Sequence, residues 1–279
     1  MPVQEILVFI ALGLVVSIYG SLVGAGGGFI IVPTLLLFFA SDFSTKQASG
    51  TSLLVVLFNG LSATYAFAKV KRIDYATGIR FACATVPSAF IGGLVASRFD
   101  SALFKGVFGF LLVGVAIFLN VRPDPAKAKA LADPNKPLPS GFVRRTMIDL
   151  KGNEVTYAFN MRNGIIFCFG IGFLASILGV GGGIFLVPAM VFLFGFPAHY
   201  ATATSSFVLI FTSISGIIPH AINHHIVLVP GIAMTVGGIV GAQIGARLAQ
   251  RVKGKIILRF LSLGMAVAGI QLVRKAFGL

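Results

Sequence analysis

Negative charge is what this chain has least of. Its 279 residues include 8 Asp+Glu against 22 Lys+Arg, and charged residues make up only 11% of the total. A soluble domain carries about 25%. No Asp or Glu stands near the middle of any apolar run, so no carboxylate proton relay is visible. Cysteine is nearly absent too. Cys83 and Cys168 each sit inside an apolar run and form no CxxC pair, which speaks against a disulfide framework or a thiolate metal site. The first hydrophobic segment has Glu5 and no basic stretch ahead of it, so a cleaved signal peptide is not expected. Neither a nucleophile–base pair nor a metal cluster is evident inside the apolar runs, and the expectation is a non-enzyme without a cofactor.

What the chain has in abundance is apolar sequence: 57% hydrophobic residues and a mean hydropathy of +0.97. Runs long enough to cross a hydrocarbon core of ~30 Å recur along nearly the whole length. The fold class expected is an all-α polytopic membrane protein. The basic excess need not mean nucleic acid, because cytoplasmic loops of membrane proteins retain Lys and Arg. Anionic lipid and an anionic substrate are both compatible with it.

The chain is written twice. SLVGAGGGFIIVP at 21–33 and SILGVGGGIFLVP at 176–188 share seven of thirteen positions, including all three glycines of each run and Pro33/Pro188. ASGTS at 48–52 then matches ATATS at 201–205, and GGLVASR at 92–98 meets GAQIGAR at 241–247. The expected organisation is a first membrane repeat over 1–120, a basic Pro-rich linker over 121–160, and a second membrane repeat over 161–279. The linker holds TMIDLKGNEVTYAF, which alternates around a KGNE turn. A lone hairpin is marginally stable, so a linker resting on the membrane surface is the favoured reading.

Ten segments are expected: 5–23, 28–40, 47–68, 74–96 and 103–120, then 161–178, 183–197, 200–221, 226–247 and 254–276. The second of each half spans only ~20 Å as a helix, too short to cross comfortably. Loop charge tests the orientation. Arg122, Lys127, Lys129, Lys136, Arg144, Arg145, Lys151 and Arg162 put the linker in the cytoplasm. Counting backward puts Lys69, Lys71 and Arg72 there too, and if the chain reverses at each glycine break the dense loop Arg247, Arg251, Lys253, Lys255 and Arg259 joins them. That arrangement means five segments per repeat, short re-entrant helices after the glycine runs, and two repeats of inverted orientation. Arg98, Lys105, Arg274 and Lys275 then fall outside, against the trend. The alternative is four spans per half in parallel orientation.

Backbone inside a bilayer must be satisfied internally, so broken helices survive only where protein or water surrounds them. Gly24, Gly26, Gly27 and Gly28, with Gly179, Gly181, Gly182 and Gly183, permit close backbone approach and positive φ. Pro33 and Pro188 each remove a helical N–H. A short helix starting at each break directs unpaired N–H groups and partial positive charge at the glycines, which suits an anion. Paired broken helices near the midplane are a recurring plan of secondary-transporter sites; tight helix packing is the competing explanation. The matched elements KQASGTS and HYATATSS add Lys46 and His199 just ahead of a helix start, and the hydroxyls of Thr51, Ser52, Thr204 and Ser205. Such hydroxyls can donate to an oxyanion, although many membrane Ser and Thr bond their own helix instead. Asn59 and Gln243 can line a path or join helices, and Arg80 can snorkel. His220 and His224 in HAINHH have a spacing that suits a metal on a helix face. The repeat pairs His224 and His225 with Lys71 and Arg72, however, and no third ligand is evident.

With both copies of G-x-G-G-G-x(4)-P and the A-x-x-T-S element in hand, residues 5–120 and 161–276 resemble the sulfite exporter TauE/SafE family of membrane permeases. The resemblance implies a permease of the bacterial inner membrane that moves sulfite, organosulfonates or other small organic acids. It implies substrate at 24–28, 179–183 and the Thr51/Thr204 region, and it does not account for the basic linker. The expectation is therefore a secondary transporter of a small anion, embedded in lipid, without nucleic acid. Proton coupling through His199 or His220 is compatible with it, as is a homo-oligomer. A metal-ion permease is the rival reading.

Overall fold

The computed structural model describes residues 2–96, 98, 101–121, 137–148, 150, 152 and 154–277. The linker residues 122–136, with four of the expected basic residues, lie outside these. Among the described residues, ten apolar helical segments follow in order. They are α1 (Val3–Val23), α2 (Gly28–Phe38), α3 (Thr45–Ala68), α4 (Tyr75–Ala96) and α5 (Ser101–Val121), then α6 (Met161–Leu178), α7 (Gly183–Pro188), α8 (Ala198–Ile222), α9 (Leu228–Arg251) and α10 (Gly254–Ala276). Eight are long and apolar enough to cross a membrane. The short ones are α2 and α7, the latter prolonged by a π-helical turn at Ala189–Leu193 after Pro188. The chain is a multi-pass, mostly helical membrane protein.

Local chemistry sets the helix ends. Ser44 and Gln47 form a capping box at the start of α3. Asn160 accepts the Asn163 N–H at 3.1 Å and starts α6. Asp74 does the same for Thr77 at 3.0 Å and starts α4.

Small residues let the long helices approach closely. Gly237, Gly241 and Gly245 on α9 face Ile10, Leu14 and Ile18 on α1, and a methyl group on any of the three would come within 2.0–2.3 Å of a backbone oxygen. The order of these pairs makes α1 and α9 parallel. The same reasoning makes α4 and α6 parallel, with Phe81 at Gly164 and Gly92 at Phe173. It also makes α3 parallel to α9, with Thr51 at Val227 and Ser62 at Ile239. Asp74 at Thr204 and Gly93 at Pro219 make α4 parallel to α8. Two pairs run oppositely: α3 and α8, where Leu53 meets Gly216 and Gly60 meets Ser206, and α5 and α10, where Gly109 meets Val273 and Ala116 meets Ser262.

The segment expected to rest on the surface is instead a built hairpin, a difference from the favoured sequence reading. Strands β1 (Phe142–Ile148) and β2 (Glu154–Asn160) pair antiparallel, with Phe142 opposite Asn160 and Ile148 opposite Glu154. A lone hairpin is marginal, but this one is docked. Tyr157, Ala158 and Phe159 are buried. The Tyr157 ring lies 4.1 Å from that of Phe196, and Phe159 packs on Phe194 and Phe81. The Tyr157 hydroxyl donates to Asp74 Oδ2 at 2.8 Å, and Arg145 Nε stands 3.7 Å from the same oxygen. Burial of the phenol and the neighbouring Asp74 push Tyr157 well above its ordinary titration range.

Candidate anion site at the paired glycine breaks

Each break is built from three left-handed glycines. Gly24 ends α1 with φ 75°, and its N–H returns to Gly20 O; Gly179 ends α6 with φ 73° and returns to Ala175 O. Gly26 and Gly27 follow at 73° and 83°, and Gly181 and Gly182 at 70° and 94°. A side chain at any of these six positions would strain the backbone. The first turn-closing bonds of α2 run from Ile30 and Ile31 N–H to Gly27 O at 2.9 and 3.1 Å. Those of α7 run from Phe185 and Leu186 to Gly182 O at 3.1 and 2.9 Å. The N–H groups of Gly28, Phe29, Gly183 and Ile184 precede them and have no partner within their own helices.

The two breaks cross at backbone contact. A methyl group on Gly28 would lie 2.8 Å from Gly179 O and 3.0 Å from Ser52 Oγ, and one on Gly183 would lie 2.6 Å from both Gly24 O and Ala25 Cα. Val56 and Leu209 wedge against both Gly26 and Gly181. Ser52 and Ser205 stand seven residues into α3 and α8, roughly 10 Å along helices about 36 Å long. The crossing is therefore deep in the bundle, and all eight glycines, Thr51, Ser52, Thr204 and Ser205 are buried.

The hydroxyls have different tasks. Ser205 Oγ donates to Gly24 O at 2.9 Å, tying α8 to the first break. Thr204 Oγ1 accepts the Asp74 N–H and Thr51 Oγ1 accepts the Val227 N–H, each at 3.0 Å. Both threonines thus hold the start of a neighbouring helix, and each keeps a proton to donate. Ser52 Oγ is buried without a hydrogen-bond partner. Lys46 and His199 lie apart from the crossing. They are half-buried at the two helix starts, about 9 Å along the axis from Ser52 and Ser205, with His199 beside Ala198–Gly254.

The remaining polar candidates join helices. Asn59 receives Ser21 Oγ at 2.8 Å and donates to Ser17 O, and Gln243 donates to Ser62 O at 2.6 Å. Arg80 is exposed. His220 and His224 do not share a helix face, because α8 ends at Ile222 and His224 sits at φ 55° in an exposed loop while His220 is buried. Among the described residues no group of three His, Cys, Asp or Glu can hold a metal ion. Sequence reasoning passed over Ser49, Ser176 and the Asp74–Tyr157 contact. The signal for His220 was available: it stands where the first copy has Phe67.

Two junctions flank the crossing. At Asp74 the docked hairpin covers the bundle. At the matched residue, Val227, a cavity of about 690 Å³ opens, lined among others by Glu5, Asp42, Gln47 and Pro230.

The chain is similar to a probable membrane transporter protein of Bacillus subtilis, YunE, with 34% identity covering 97% of this chain and 98% of that one. A probable membrane transporter protein of Methanocaldococcus jannaschii is 29% identical over 94% and 92% of the two chains. Another, from Sinorhizobium, is 24% identical over 90% and 86%. No solved structure matches. The family model described as sulfite exporter TauE/SafE covers residues 9–272, through both glycine breaks and everything between them. A membrane protein whose two broken helices cross inside the bundle, and whose relatives are named as transporters, belongs to the sulfite exporter TauE/SafE family.

Proposed function

We propose that this transporter moves a small sulfur-containing anion, sulfite or an organosulfonate, across the bacterial inner membrane, and that the anion passes between the two glycine breaks. The observation that carries the reading is the backbone crossing of Gly24–Gly28 with Gly179–Gly183. It brings the open N-termini of two short helices to one buried place, beside the Ser52 hydroxyl. Such ends favour negative charge and donate directly to oxyanion oxygens, and the hydroxyls of Thr51, Ser52, Thr204 and Ser205 add donors. A carboxylate would be held by the same groups, so small organic acids belong in any test. The metal-ion reading loses its support with the separation of His220 from His224.

The two membrane repeats, 1–120 and 161–279, are proposed to be inverted. The contact registers support this: α1 and α3 both run with α9, α4 and α6 both run with α8, and α3 runs against α8. With α5 running against α10, each long helix of the first repeat is thereby opposed to its counterpart. The basic loops at 69–72 and 247–259 and the hairpin strands 142–148 and 154–160 fall on one face, which the charge rule assigns to the cytoplasm. Transport would alternate access around the crossing as one bundle rocks against the other. The cavity at Val227 serves as the outer vestibule, and the hairpin at Asp74 closes the inner side.

The test is uptake of labelled sulfite, organosulfonates and small carboxylates into proteoliposomes, with and without an imposed pH gradient. Saturable flux of a sulfur oxyanion is the expected result. No anion flux under any gradient would overturn the reading.

A further inference from the structure

The two breaks match in backbone but differ in what surrounds them. At the first break the polar groups are paired: Ser21 donates to Asn59, Thr202 to Ala198 O at 2.8 Å, and Ser205 to Gly24 O. Their counterparts at the second break are Ser176, Ser49 and Ser52, and none of these three hydroxyls has a hydrogen-bond partner, although each residue is at most 1% exposed. An unpaired buried hydroxyl is costly, so three together mark a place kept for something else. Ser49 adjoins Gly179, and Ser52 adjoins Gly28.

His220 completes the asymmetry. It is 0% exposed, its Nε2 lies 3.1 Å from Ser176 O, and its Nδ1 is buried without a partner. His225 packs edge-on against it with ring centroids 5.4 Å apart, its own Nδ1 also unpartnered. His225 is half-buried and His224 beside it is exposed. The three histidines therefore descend from the surface at the Val227 junction to the second break. Of the groups facing the pair, Lys46 on α3 and His224 are charged or titratable, whereas α6 contributes Ser176 and α3 also contributes Gly50.

We propose that His225 and His220 form a proton path from this surface to the second break, and that the anion binds there together with a proton on His220. The inference rests on the anion-transport reading above and adds the coupling ion and its route. In a charged imidazole both nitrogens are donors: Nε2–H holds Ser176 O, which leaves Nδ1–H for the anion, beside the hydroxyls of Ser49, Ser52 and Ser176. The carried proton offsets the anion's charge in a site that would otherwise bury it alone. Burial, with Lys46 and His224 nearby, holds His225 below its ordinary titration range. Binding of proton and anion is mutually favourable by linkage.

The experiment uses the full chain in proteoliposomes with sulfite and methanesulfonate as probes, following both anion uptake and the accompanying proton uptake with a trapped pH dye. Wild type is expected to gain up to about tenfold in apparent anion affinity per pH unit of acidification, the limit for one linked proton. His220→Gln keeps a donor for Ser176 O, and His220→Phe installs what the first copy carries at Phe67. Both are expected to lose the pH dependence and the proton movement while retaining the wild-type elution profile and melting behaviour. Should either variant fail to fold, His225→Gln, at the half-buried position, is expected to slow proton movement and leave folding intact. Proton-linked uptake that is unchanged in the folded His220 variants overturns the proposal, as does wild-type flux indifferent to pH. Absence of any wild-type anion flux overturns the anion reading itself, so the two failures are distinguishable.

Discussion

Thr204 Oγ1 accepts the Asp74 N–H at 3.0 Å, and Thr51 accepts the Val227 N–H at the same distance. The two acceptors are 153 residues apart in the sequence, and so are the two donors. Ser62 donating to Ile239 O and Ser215 donating to Val86 O repeat the pattern. Each copy therefore fastens a helix of the other, and the hydroxyls that flank the breaks also fix the frame around them. Thr51→Ala and Thr204→Ala are each expected to lower stability by about 1 kcal/mol, and Thr→Ser to restore it. Thermal unfolding in detergent reads this. A Thr→Ala variant that melts like wild type yet fails to transport would assign the hydroxyl to the substrate alone.

Neither Gly28 nor Gly183 has room for a methyl group of its own. Gly28→Ala meets Gly179 O at 2.8 Å and Gly183→Ala meets Gly24 O at 2.6 Å. Overpacking of this kind costs about 1–3 kcal/mol, and flux should fall by an order of magnitude or more if the breaks must slide. Gly114→Ala on α5, with nothing within 4 Å, is the control and should keep full flux while gaining up to about 1 kcal/mol. Equal flux in all three variants would separate the crossing from transport.

Hairpin docking has a pH signature. Folding holds the Tyr157 phenol protonated, because burial and Asp74 raise its titration above the ordinary value near 10. The folded state then binds the proton more tightly than the released one, so this contribution is complete below about pH 10 and declines as pH rises beyond it. Limited proteolysis within 142–160 should accelerate above pH 10 in wild type. Tyr157→Phe should lose about 1.5–3 kcal/mol of docking with the bond to the carboxylate and should remove that pH step.

Opposite orientation of the two copies is tested by single cysteines at matched loop positions. Lys71 and His224 occupy the same place in each copy, at φ 54° and 55°. Inverted repeats predict that Lys71→Cys is labelled from the cytoplasmic side and His224→Cys from the other. Labelling of both from one side would favour parallel repeats.

Much of this architecture was written in the sequence. The apolar runs and the doubled G-x-G-G-G-x(4)-P marked every helical segment to within a few residues, because bilayer thickness and backbone satisfaction leave few options. The crossing itself was harder to read: that Gly28 would lie on Gly179 depends on how α3 and α8 bring the copies together, which no local pattern encodes. The hairpin was undervalued for a related reason. Its strand alternation was visible, but its stability comes from Phe194, Phe196 and Asp74, far away in sequence. Likewise, His220 read with His224 looks like a metal pair on a continuous helix, and only the helix end at Ile222 separates them.

The central claim is that an anion occupies the crossing of the two breaks. The most direct measurement is a structure determined with 2-bromoethanesulfonate, locating bromine by its anomalous signal. The account predicts one site beside Gly28, Gly183 and Ser52, with the sulfonate oxygens on backbone N–H groups, and its loss in Gly183→Ala. Bromine bound only in the outer cavity by Asp42, or nowhere near the breaks while sulfonate flux persists, would contradict it.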